Sequence, residues 1–171
     1  MKKEIKIDEF KFDAYNRLKN DWALVTAKKK NGDINCLTIS WGAYGQLWGK
    51  PIFIAFVRPE RFTHEFLVDT DYYSVCFFNK EYQDKLLYIG RNSGRNEDKI
   101  KKMGLNVIND NKAPYYEESA LTYICKKIYV DDFKKENFID KDIYKEIYEK
   151  AGAKCHTIFI GEIVSILKEE D

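Results

Sequence analysis

The sequence predicts a mainly β protein, an antiparallel barrel with peripheral α-helices. Two observations carry that expectation. Six stretches have the length and the β-branched or aromatic content of strands, and turns or short helices join them without regular strand–helix–strand alternation, which disfavours a doubly wound parallel sheet. Between the first two stretches stands Asn31-Gly32, a strong hairpin signal that makes neighbours antiparallel.

The elements follow in order. Asp13–Asn20 reads as a short helix, and Trp22–Lys30 as a first strand that turns basic where it leaves the core. Asn31-Gly32-Asp33 returns the chain into Ile34–Trp41, where Leu37, Ile39 and Trp41 alternate with Cys36, Thr38 and Ser40. One side of that strand is apolar, the other small and hydroxylated. The stretch WGAYGQLW reads as a Gly-rich loop bracketed by Trp41 and Trp48, and Pro51 leads into Ile52–Val57, an unbroken apolar run expected to be a central strand buried on both faces. Pro59 ends it within Arg58-Pro59-Glu60-Arg61-Phe62-Thr63.

Glu60–Val68 has the composition of a helix with Phe62, Phe66 and Leu67 on one face, and Tyr72–Phe78 is the next strand. Lys80–Ile89 reads as a helix stopped by Gly90, with Tyr82, Leu86 and Ile89 inward. The polar loop 91–96 precedes a short helix, Glu97–Met103, which Asn96 is placed to cap. Ala120–Val130 is a long strand and Thr157–Leu167 the last one. Between them Asp140–Lys150 is amphipathic, with Ile143, Tyr144, Ile147 and Tyr148 on one side, and residues 168–171 read as a solvated tail.

Composition narrows the function. The chain has 171 residues, 44% of them hydrophobic and 15% aromatic, which suits one folded domain over 1–171 and excludes a disordered chain. A formal net charge of +1 gives no basic face for nucleic acid. No apolar segment is long enough to span a bilayer, so a cytoplasmic protein with no membrane partner is expected. The four cysteines are scattered without a CxxC, and two histidines, His64 and His156, make a metal site unexpected.

The residues that bear on chemistry are few. Arg58 and Arg61 flank a turn at the end of a buried strand, where guanidinium forks bind a phosphate; they equally suit an exposed turn paired with Glu60 or Glu65. Ser93-Gly94-Arg95 with Lys99 could present N–H groups and positive charge to an anion, or be a plain connector without the GK[ST] ending of a P-loop. Trp41 and Trp48 suit a planar heterocycle, an aromatic core or a dimer interface. For His64 and Cys155 the local pattern is compatible with passive roles, and no Ser-His-Asp set, telling carboxylate pair or GxGxxG is present.

Taken in order, several segments resemble the flavin reductase-like, flavoredoxin-type family of FMN-binding split-barrel proteins. They are Asn35-Cys36-Leu37-Thr38-Ile39-Ser40-Trp41, Lys50-Pro51, Val57 through Phe66, Gly90 through Ile100, Glu118-Ser119-Ala120-Leu121 with Cys125-Lys126, and His156 through Ile163. The resemblance implies a Greek-key split barrel, a homodimer, and one FMN per subunit near the dimer interface. It places Asn35, Thr38, Ile39, Ser40 and Trp41 along the flavin ring. It places Arg58, Pro59, Arg61, Phe62 and Thr63 at the phosphate and ribityl chain, with Ser93, Gly94, Arg95 and Lys99 closing round the phosphate. Chemistry would reside on FMN, with no catalytic side chain. The implied activity is NAD(P)H-dependent flavin reductase-type transfer, or flavoredoxin-type electron transfer in which a redox-partner protein is the donor. One departure stands out: family members often carry an Asp and an aromatic residue before the late His, whereas this chain reads Gly152-Ala153-Lys154-Cys155-His156.

Overall fold

A backbone bond in which Lys29 N donates to Asp33 O at 2.9 Å closes the hairpin that Asn31-Gly32 announces. The computed structural model describes residues 2–169, so the end of the expected tail lies outside the described residues. A strand β1 (Lys2–Ile5) opens the chain, followed by α1 (Ala14–Asn16), which continues as a π-helical turn, Arg17–Asp21. Four strands come next: β2 (Ala23–Lys28), β3 (Ile34–Ile39), β4 (Gly42–Leu47) and β5 (Lys50–Val57). Then follow α2 (Phe62–Asp69), β6 (Tyr72–Phe77), α3 (Gln83–Arg91), α4 (Lys99–Lys102), β7 (Val107–Ile108) and β8 (Tyr115–Tyr116). The chain ends with β9 (Leu121–Asp132), α5 (Lys141–Tyr144) and β10 (Thr157–Glu169).

The principal sheet runs β3-β2-β6-β9-β10-β5-β4, every pairing antiparallel. β10 is long enough to hold two partners on one edge, β5 along Thr157–Glu162 and β1 along Ile166–Glu169. The outermost strands, β3 and β4, are consecutive in sequence and joined by Ser40 and Trp41 alone. That short link forces the two edges together, closing the sheet into a split barrel whose seam has no ladder pairing.

Alternation along the strands builds two cores. Val25, Leu37 and Val75 point inward to Phe53, Tyr123 and Phe159; Leu24, Cys36 and Cys76 point outward beneath α3 and α4, against Leu86, Ile89 and Tyr116. Phe10 and Phe12 plug one end of the barrel, Phe12 meeting Phe77 and Tyr123 at ring distances of 5.0 and 5.4 Å. Across the interior the Tyr73 hydroxyl lies 3.1 Å from the Phe53 carbonyl and 3.3 Å from that of Phe159.

All six expected strands form, and several details differ. The stretch read as a Gly-rich loop is β4: Trp48 and Gly49, at φ of 53° and 70°, make a two-residue hairpin to β5. Alternating glycines hid its period. In β5, Ile54 and Phe56 are only half-buried, so the strand is not covered on both faces. The third helix runs past Gly90 to Arg91, and the fourth is capped by Asp98, whose carboxylate accepts from Lys101 N, not by Asn96. Ile143, grouped with Tyr148 on one side of its segment, is 51% exposed while Tyr148 is buried. The first strand had no signal in its charged KKEI sequence; pairing with β10 creates it.

Candidate functional site

Where β3 leaves the sheet and β5 ends, a cleft of about 350 Å³ opens between Thr38, Ser40, Trp41, Phe56, Arg58 and His156. Ile39 contributes backbone while its side chain enters the core, and Ser40 lies open at the seam. Thr38 is committed elsewhere: its hydroxyl donates to Leu86 O at 2.6 Å and so docks α3 on the outer face of β3. Trp41 is 47% exposed, its indole tilted against His156 at 5.2 Å. His156 is buried, and burial followed by the neighbouring Arg58 charge pushes its pKa down to about 4, so the ring is neutral at physiological pH. Its Nδ1 lies 2.8 Å from the Tyr148 hydroxyl. No acidic residue lines this cleft.

A second, smaller cleft of about 150 Å³ adjoins the first through Arg61, which lines both. Its walls include Phe62 and Thr63, the first two residues of α2, whose N-terminus has no side-chain cap. Arg61 Nη2 donates to Gly90 O at 2.6 Å, and burial lowers its pKa. Lys99 is 3% exposed, and burial likewise lowers its pKa; Nζ donates to Ile89 O at 3.0 Å and Asn92 O at 3.1 Å, leaving one N–H uncommitted. Gly94 completes the wall because a Cβ there would collide with the Asn35 carboxamide. Asn35, which lines neither cleft, braces them from beneath: its Nδ2 donates to Thr63 Oγ1 at 3.1 Å.

The residues singled out in the sequence therefore divide. Thr38, Ile39, Ser40, Trp41 and Arg58 meet at the first cleft; Phe62, Thr63, Ser93, Gly94 and Lys99 meet at the second. Pro59 and Arg95 line neither. Arg95 turns outward, paired with the Glu65 carboxylate, donating to Glu60 O at 3.1 Å and lying over the Phe62 ring. His64 also turns away: Thr157 gives its one hydroxyl proton to Asp132 Oδ1, so His64 Nε2 donates to Thr157 Oγ1 at 2.8 Å. Sequence reasoning did not single out Phe56, Gly90 or Tyr148. Phe56 was legible only as strand, and nothing local links Tyr148 to His156. Among the described residues no group of His, Cys, Asp and Glu could hold a metal ion, and no helix is long and apolar enough to cross a membrane.

The antiparallel split barrel is the fold of FMN-binding and flavin reductase-like proteins of known structure. The chain belongs to the flavin reductase-like family, matching the model of the flavin reductase like domain over residues 15–171. Among solved structures, it resembles the flavoredoxin of Methanosarcina acetivorans, with TM-score 0.69 and 22% identity over 98% of this chain and 76% of that one. The flavoredoxin of Desulfovibrio vulgaris (Miyazaki F) gives TM-score 0.68 and 21% identity over 87% and 69% of the two chains. An NADH:FAD oxidoreductase of Streptomyces globisporus C-1027, solved with NAD and FAD fragments, gives 0.65 and 13% over 87% and 74%. No functionally curated protein matches.

Proposed function

We propose that the protein is an FMN-binding oxidoreductase of the NAD(P)H-dependent flavin reductase type. The observation that carries this reading is the junction at Arg61, where a slot walled by Trp41, Phe56 and His156 meets a pocket containing a buried ammonium and an uncapped helix end. A flat heterocycle suits the first and a phosphate monoester the second. Lys99 supports this fit: it is a lysine removed from water with one donor still uncommitted, which is costly unless an anion arrives to meet it.

In this reading Ile39, Ser40 and Trp41 hold the ring beside Thr38, while Arg61, Phe62, Thr63, Ser93, Gly94 and Lys99 hold the phosphate end. Asn35 supports both groups from below, and Pro59 and Arg95 shape the turn from outside. The small volume of the second cleft favours a single phosphate, hence FMN over FAD. Once bound, the flavin supplies two-electron chemistry between a nicotinamide and an acceptor. The side chains orient the ring, keep charge at the phosphate and exclude water, with no side chain required as acid or base. Exposed aromatics at Trp41, Trp48 and Tyr129 support a homodimer, and four unpaired cysteines support a reducing, cytoplasmic setting.

The test is an absorption spectrum of the purified protein followed by anaerobic titration with NADH and NADPH. Bleaching by either nicotinamide supports the reductase reading. Bound flavin that only a redox-partner protein reduces transfers the assignment to a flavoredoxin-type electron carrier. A colourless protein whose melting temperature ignores added FMN rejects flavin binding.

A further inference from the structure

We propose that Arg58 sets the redox balance of the flavin ring and is not a phosphate ligand; this rests on the flavin reading above. Arg58 and Arg61 stand three residues apart, yet the turn between them separates their tasks. Arg61 is the N-cap residue of α2, lines both clefts and is tied to Gly90 O. Arg58 follows the last residue of β5, lines only the ring cleft, and makes no side-chain hydrogen bond or ion pair among the described residues.

Nothing else in that cleft neutralises it. The cleft has no lining carboxylate, and His156 beside Arg58 carries no charge near neutral pH. Glu60, two residues on, lines the other cleft and its Oε1 accepts from Lys154 N at 2.7 Å; its carboxylate feels the Arg58 charge but forms no ion pair with it. A half-buried charge such as that of Arg58 is screened less than a surface one. Such a charge favours whichever state of its neighbour is more negative. When the oxidised ring takes two electrons from a nicotinamide donor and only one proton, the product bears a net negative charge. Arg58 therefore holds the reduced ring more tightly than the oxidised one.

The experiment measures the midpoint potential of bound FMN, with oxidised FMN and riboflavin affinities, in wild type, Arg58→Gln and Arg58→Lys. Arg58→Gln is expected to lose about tenfold in preference for reduced over oxidised flavin, a fall of about 30 mV for a two-electron couple, while Arg58→Lys keeps most of it. Any loss of oxidised affinity should be equal for FMN and riboflavin. An unchanged potential overturns the proposal. So does a loss confined to FMN, which returns Arg58 to the phosphate. A wild-type protein that binds neither flavin overturns the flavin reading itself, whereas the first two results leave that reading standing.

Discussion

Tyr148 and His156 form a buried pair, hydroxyl to Nδ1 at 2.8 Å, that ties the segment after α5 to the wall of the ring cleft. The ring is held neutral, with its pKa down near 4, so folding excludes a proton that the unfolded chain takes up near pH 6.5. The unfolded state then binds more protons between those values, and stability falls as pH drops through the window. His64 is shifted the same way by burial and adds to the slope. Melting temperatures measured from pH 7 to pH 4 should decline, and His156→Gln should flatten part of that decline; an identical slope in the variant would contradict the assignment.

Arg61 should matter to the phosphate more than to the ring. A charge-assisted hydrogen bond is worth about 1.5–3 kcal/mol, so Arg61→Ala should weaken FMN roughly ten- to hundred-fold beyond any effect on riboflavin. Flavin fluorescence titrations supply both constants, and equal losses for the two ligands would remove the phosphate role.

Gly94 should resist even one added methyl group. A Cβ there meets Asn35, whose side chain is buried and already bonded to Thr63, so Gly94→Ala should cost about 1–3 kcal/mol and loosen flavin binding. Shortening the obstacle in an Asn35→Ser/Gly94→Ala double variant should recover part of the loss. Strict additivity of the two single effects would argue against the contact.

Tyr73 reaches carbonyls on two other strands from a fully buried position. Tyr73→Phe should lower unfolding free energy by about 1–2 kcal/mol, with an unchanged slope against urea concentration. A change in that slope would mean that the variant has altered the compactness of one end state.

Much of the barrel was legible because its strands carry their own evidence. Ile52–Val57 and Ala120–Val130 are too apolar and β-branched to be anything else, and Asn31-Gly32 dictates one turn outright. What escaped depends on distant partners. GAYGQL becomes a strand because β5 lies beside it, and KKEI because β10 extends far enough to receive it. The site divided along the same line. Local spacing put Arg58 and Arg61 at one turn, but only the fold shows that Arg58 faces one cleft while Arg61 lines two. The phenol opposite His156 was beyond reach, because seven residues, nearly all irregular, lie between the two.

The two-residue bridge of Ser40 and Trp41 has a mechanical consequence. It is the zip of the barrel, and it is also the rim on which the first cleft is built. Whatever lodges there clamps the fabric at its weakest stitch. Occupancy and resistance to tearing should rise together, so that amide exchange slows first in the strands on either side of that bridge.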